Sequence, residues 1–236
     1  MIRVCGGIKL LIENNKDFNG QELAWEEIKT EHLVTDEWID IRRSAYRFPD
    51  GSVFEPFYSY SRKDYVVIAA TDEEGRYLCV RQYRQGIKEV TTEFPAGGIE
   101  HRVESQGDSL MQNFQGNSAR PLAGNRRSDG KEYGAGKGGQ DAEDALTAAK
   151  RELREETGYE SDEWRHLLTV PSNATIADNY AYIFAAKNCR RVSGQKLDDT
   201  EFLKVCLYTG EELEELVKSG RFQQAVHCLA WMLSRQ

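Results

Sequence analysis

The chain has 236 residues, 39% of them apolar and 30% charged, and a formal net charge of −8. That length can bury a substantial core, and the acidic balance disfavours nonspecific binding to nucleic acid or to an anionic membrane surface. Five scattered cysteines (Cys5, Cys79, Cys189, Cys206 and Cys228) form no CxxC pair, which argues against a disulfide framework or a zinc site and for a reducing, cytoplasmic setting.

The opening MIRVCGGIKLLIENN carries too short an apolar run, with Lys9 inside it, for a signal peptide or membrane span. Residues 8–12 allow a short strand or a lead-in. From Trp25 the pattern is mostly β. Segments 38–48 and 52–60 read as strands joined by Pro49-Asp50-Gly51, whose proline and glycine set up a turn. YVVIAAT (65–71) is a nearly continuous apolar run suited to a buried strand. Asp72-Glu73-Glu74-Gly75 turns the chain into RYLCVRQY (76–83), and a further strand over 89–94 delivers Pro95-Ala96-Gly97.

Residues 101–140 differ in character, with eight glycines, sparse apolar residues and six basic against four acidic side chains. A stretch this long without periodicity is either a functional flap or an insertion without catalytic part. Its GAGKGG lacks the GxxxxGK[ST] spacing and follows no strong strand, so a phosphate-binding loop is rejected.

Next comes DAEDALTAAKRELREETGY (141–159). Ala145, Leu146, Ala149 and Leu153 recur at helical spacing, and Gly158 supplies a C-terminal stop. On another side Glu152, Glu155 and Glu156 stand at i, i+3 and i+4, sharing one face. Clustered carboxylates repel unless something offsets them, and a hard divalent cation with oxygen ligands does so. A solvated acidic face laced with Lys150, Arg151 and Arg154 is the plainer alternative. Beyond the helix, 164–170, 179–186 and 202–208 read as strands, followed by helices over 211–219 and 221–235. His227 in the last helix reads as a packed or partly exposed histidine, and Asn173 and Asn179 as turn residues.

Arg151-Glu152-Leu153-Arg154-Glu155-Glu156-Thr157-Gly158-Tyr159, with Glu143 eight positions before Arg151, fits Ex7REUxEExGU, where U is bulky and apolar. This resembles the signature of the Nudix hydrolase family, Gx5Ex7REUxEExGU. The family's leading glycine is absent, since Lys137 stands in its place. Pro95-Ala96-Gly97-Gly98-Ile99-Glu100 resembles the PAGxxE that opens the signature in ADP-ribose pyrophosphatase-like members. Arg81-Gln82-Tyr83-Arg84 resembles the RQYR that precedes it in nucleotide-sugar enzymes. The expectation is a signature split by the insertion at 101–140.

The resemblance implies an α/β fold: a Nudix α/β/α sandwich with a mixed sheet over 61–236, interrupted at 101–140, plus an N-terminal antiparallel β region over 1–60 that makes a homodimer. It implies a magnesium site, Mg2+ with Mn2+ as substitute, held by the Ala96 carbonyl, Glu152, Glu155 and Glu156. Arg151 orients a glutamate, Gly97 lets the backbone approach, and a glutamate of the helix set (Glu152, Glu155 or Glu156) or Glu201 serves as base. Arg84, Arg81 and Trp38 are the substrate contacts, with Trp25, Tyr58 and Tyr83 as further stacking aromatics. The implied reaction is hydrolysis of the pyrophosphate bond in a nucleoside diphosphate-linked small molecule, ADP-ribose or a nucleotide sugar. The alternative is a catalytically silent nucleotide-sugar sensor or binding module.

Overall fold

A computed structural model describes residues 23–100 and 143–236. The expectations for 8–12 and for the insertion lie outside the described residues. An antiparallel three-stranded sheet comes first, with β1 (Glu26–Thr35), β2 (Asp40–Arg47) and β3 (Val53–Ser61) in that spatial order. Trp25, Tyr46, Phe48, Phe54 and Phe57 gather on it with ring centroids 4.5–6.2 Å apart, so its packing is aromatic rather than aliphatic. β3 joins it to the rest of the molecule: the Tyr60 amide donates to the Ile176 carbonyl at 2.8 Å, and Arg42 and Ser61 both donate to Asp178.

The main sheet follows with β4 (Tyr65–Asp72), β5 (Tyr77–Arg84), β6 (Glu89–Glu93) and β7 (Ala96–Gly98). After the long helix α1 (Ala145–Thr157) come β8 (Tyr159–Glu160), β9 (Glu163–Pro171), β10 (Tyr180–Arg191) and β11 (Leu203–Tyr208). Helices α2 (Gly210–Lys218) and α3 (Ala225–Ser234) close the chain. The spatial order is β11-β5-β4-β10-β8, with β6 on β5, β7 on β4 and β9 on β10. β10 runs parallel to β4 and every other pairing is antiparallel, so the sheet is mixed.

β4 shows why both faces are covered. Val66, Ile68 and Ala70 pack with Ala148, Ala149 and Leu153 of α1, whereas Val67 and Ala69 pack with Leu213 of α2 and with Ala230 and Trp231 of α3. Alternation along the strand sends successive side chains to opposite layers. A strand buried on both faces needs the continuous apolar run seen at 65–71. The last helix begins at Ala225 rather than near Arg221, with Gln224 as its N-cap, yet Phe222 is in the core at 2% exposure.

Candidate active site

Asp144 starts α1, its carboxylate accepting from the Leu146 and Thr147 amides and so satisfying two orphan donors of the first turn. Gly158 ends it at φ 77°, where a Cβ would lie 2.3 Å from the Ser193 carbonyl oxygen. Only glycine fits both the left-handed backbone and that close approach. These two ends fix the rotation of the helix. It buries Leu153 in the core and brings Glu152 and Glu156, 7% and 2% exposed, against β7.

The two halves of the split pattern meet there. The Ala96 amide donates to Glu156 Oε2 at 3.0 Å. A Cβ on Gly97 would sit 2.0 Å from the Glu152 carboxyl carbon, so the absent side chain at 97 is the space the Glu152 carboxylate occupies. The Arg151 guanidinium ties both pieces down, donating to the Gly98 carbonyl at 2.9 Å and to Glu143, Glu152 and Glu155. Burial alone would push the Arg151 pKa down, but its carboxylate partners raise it above the ordinary value. At the two ends of the intervening segment the Glu143 amide donates to the Glu100 carbonyl at 3.1 Å, and the Glu100 amide to Glu143 Oε2 at 3.3 Å.

The electrostatics are those of crowded carboxylates. Burial pushes the Glu152 pKa up to about 7, with Glu201 and Glu155 adding to the rise and Arg151 opposing it. Glu156 is raised well above the ordinary value, first by burial and then by Glu152, with the Ala96 amide and Arg84 opposing. Glu201, in the turn before β11, raises both and so belongs to the same group. Its carboxylate accepts from the Asp198 amide at 3.1 Å.

A hard cation suits this donor set. Glu152 engages Arg151 through Oε1, and Glu156 engages Ala96 through Oε2, so among the described residues the second oxygen of each has no hydrogen-bond partner. A divalent ion would relieve the repulsion that raises both carboxyls, and oxygen-only donors match Mg2+. Among the described residues no three His, Cys, Asp or Glu side chains stand as a preformed ligand cluster; Arg151 holds part of the acidic set in its place.

Of the other residues expected at the site, Arg84 lies close enough to Glu156 to influence its charge. Arg81 does not join them. It is three positions before Arg84 on β5, hence on the opposite face, lining a groove with Tyr208, Leu216 and Arg221. Trp38 is 68% exposed in the turn between β1 and β2, and none of the hydrogen bonds that build the site reaches it. Asn173 holds a turn, its carbonyl accepting from the Ile176 and Ala177 amides, whereas Asn179 makes a long-range tie, its side-chain amide donating to the Lys63 carbonyl. Two buried residues stand behind Arg84: Glu93, not anticipated from the sequence, and His227, which is packed as its sequence reading allowed but whose place at this corner was not anticipated.

Comparison with known proteins agrees with this geometry. The NUDIX domain model matches residues 118–230, a span that includes α1 but not Ala96, which the fold supplies. The methanol dehydrogenase activator of Bacillus methanolicus is 24% identical over 204 residues, covering 86% of this chain and 88% of the relative. The ADP-ribose pyrophosphatase of Bacillus subtilis is 23% identical over 206 residues, covering 87% and 89%. A crystal structure of an ADP compounds hydrolase superposes with a TM-score of 0.64 at 16% identity, over 89% of this chain and 92% of that one, and shows the same fold. The chain belongs to the Nudix hydrolase family.

Proposed function

We propose that this Nudix hydrolase cleaves the pyrophosphate bond of a nucleoside diphosphate joined to a second moiety, with ADP-ribose or a nucleotide sugar as the leading substrates. The observation that carries the reading is the meeting of Ala96 and Gly97 with Glu156 and Glu152. The similarity to an ADP-ribose pyrophosphatase favours ADP-ribose among the candidates.

The Ala96 carbonyl, Glu152 and Glu156, with Glu155 as a further ligand, would hold Mg2+ or Mn2+. When bound, the ion neutralises diphosphate charge and lowers the pKa of water. Arg84 binds the diphosphate through its planar guanidinium. Arg151 keeps Glu152 and Glu155 oriented and does not touch substrate. Glu201 takes the proton from the attacking water, because Glu155 is already held between Arg151 at 3.2 Å and Lys196 at 3.9 Å.

A homodimer formed through the N-terminal sheet is part of the same reading. Trp25, Trp38, Phe54 and Tyr58 are each more than half exposed in a single copy, and apolar surface of this kind marks an interaction face. A base-stacking role for Trp38 would be supplied across that dimer. Sedimentation showing a monomer at micromolar concentration would remove this part. A small nucleotide substrate and a cytoplasmic location complete the proposal; among the described residues no helix is long and apolar enough to cross a membrane.

The test is a product-resolved screen of ADP-ribose and of ADP- and UDP-sugars with Mg2+. Expected is a nucleoside monophosphate plus a sugar phosphate, lost in Glu152→Gln and Glu201→Gln. Tight binding of these compounds without any turnover would instead establish the silent sensor.

A further inference from the structure

We propose that Glu93 is a positioning residue for Arg84, and that helix α3 braces the pair from the far side of the sheet. The inference rests on the reading that Arg84 meets a diphosphate. Glu93 is completely buried, an expensive place for a carboxylate unless its oxygens are satisfied. They are: Arg84 donates to it twice, Nε to Oε1 at 2.9 Å and Nη2 to Oε2 at 2.5 Å. The Thr91 hydroxyl and the Gln224 amide, the latter at 3.4 Å, add to Oε1.

The engagement is side-on. It consumes Nε and Nη2 and leaves Arg84 Nη1 without a hydrogen bond among the described residues. Glu93 is sealed, whereas the Arg84 side chain is 35% exposed and influences Glu156. One end of the pair is therefore anchored and the other is presented at the carboxylate site. Burial by itself would raise the Glu93 pKa, but Arg84 and its other partners hold it below the ordinary value. A carboxylate so saturated with donors is unsuited to take a proton, which leaves it a role through Arg84.

Helix α3 secures the corner. Gln224 and His227 are three residues apart, on one side of the helix. Gln224 reaches Glu93, and His227 Nδ1 accepts the Phe94 amide at 3.1 Å. The imidazole therefore carries its proton on Nε2. It is 4% exposed and burial lowers its pKa to about 4, so it is neutral at neutral pH. Two consecutive residues, Glu93 and Phe94, are thus tied to α3 immediately before Pro95 and Ala96.

The test is a double-mutant cycle on the full-length protein with Mg2+, using ADP as the probe in titration calorimetry alongside kinetics and melting. Glu93→Gln is expected to weaken ADP binding about tenfold, and Arg84→Lys by a similar factor, while the double variant is no weaker than Arg84→Lys alone. In kinetics, KM rises more than kcat falls. Glu93→Asp, which keeps the charge but draws the fork back by one methylene, gives the same direction if Glu93→Gln does not fold. Effects that multiply across the cycle would overturn the proposal. So would a Glu93→Gln or Glu93→Asp protein that melts lower yet binds ADP like the parent, or a parent that does not bind ADP. A parent that binds ADP but hydrolyses no nucleoside diphosphate derivative defeats the enzymatic reading alone, and the cycle still decides the role of Glu93.

Discussion

Ala96 and Glu156 lie sixty residues apart in sequence and are joined by a 3.0 Å hydrogen bond from the amide of one to the carboxylate of the other. The next residue, Gly97, makes room beside that contact for a second carboxylate, having no side chain where Glu152 lies. A methyl group at 97 would lie 2.0 Å from the Glu152 carboxyl carbon and 2.1 and 2.3 Å from its oxygens. These atoms end a flexible side chain, so the helix need not move. Gly97→Ala should fold, melting within about 4 °C of the parent, while turnover falls roughly a hundredfold as Glu152 is displaced. Paired melting and initial-rate measurements check it; a parent-like rate would mean that Glu152 does not act from this position.

Crowded carboxylates make a prediction about pH. Burial raises Glu152 to about 7 from an ordinary 4.5 and raises Glu156 as well. At these two sites the folded state then holds more protons than the unfolded one across that window, whereas buried His227, lowered to about 4 from an ordinary 6.5, holds fewer and works the other way. The two glutamates should therefore withdraw stability from the metal-free protein as pH rises from about 4.5 through 7, Glu152 by a ceiling on the order of 3 kcal/mol, so the parent should fall behind Glu156→Gln across that range. Glu156→Gln removes one of the opposed charges, so at pH 8 without metal it should melt above the parent while losing turnover. Added Mg2+ should raise the parent's Tm at pH 8 and hardly move the variant's. A metal-free parent whose Tm does not fall relative to that of Glu156→Gln between pH 5 and 8 would contradict the argument.

Arg151 bridges the Gly98 carbonyl and three glutamates. Lysine carries the same charge on a single point and cannot span that set. Arg151→Lys should cost about 2 kcal/mol, seen as a Tm lower by roughly 4–8 °C. Activity should fall more than tenfold, because Glu152 and Glu155 lose the group that orients them. A variant that is less stable but fully active would show that Arg151 holds the fold alone.

What was legible in the sequence was what local spacing dictates. Glu152, Glu155 and Glu156 share a helix face by arithmetic, and the run at 65–71 announced a strand buried on both sides. Ala96 and Gly97 were legible only through the family pattern, since 101–140 hides the continuity of the signature. Arg81 and Arg84 share the RQYR run, yet their odd separation on a strand sends them to opposite faces. That parity was available, given Cys79 and Val80 as a guide to which face is which. Glu93 left no such trace, and of His227 only its packing was legible. Their relation spans more than 130 residues and depends on how α3 docks, a tertiary fact that no local period encodes.

The two ends of the intervening segment, Glu100 and Glu143, meet. Glu143 donates to the Glu100 carbonyl at 3.1 Å, and Glu100 donates back to the Glu143 side chain at 3.3 Å, so the chain leaves and re-enters through one closed stem. Glu143 is meanwhile fixed by Arg151 at 3.0 Å, which links the stem to α1 directly. A short turn can bridge such a gap, and shortening a loop reduces its closure entropy by an amount on the order of 2 kcal/mol. Replacing 101–142 with a turn of two to four residues should therefore leave the Tm equal to or above the parent's, with kcat retained within about threefold. A protein that folds normally but loses turnover would assign the removed segment a part in catalysis. A protein that fails to fold would mean that the stem requires more than the Glu100–Glu143 contacts, and the insertion would have to be counted as part of the fold.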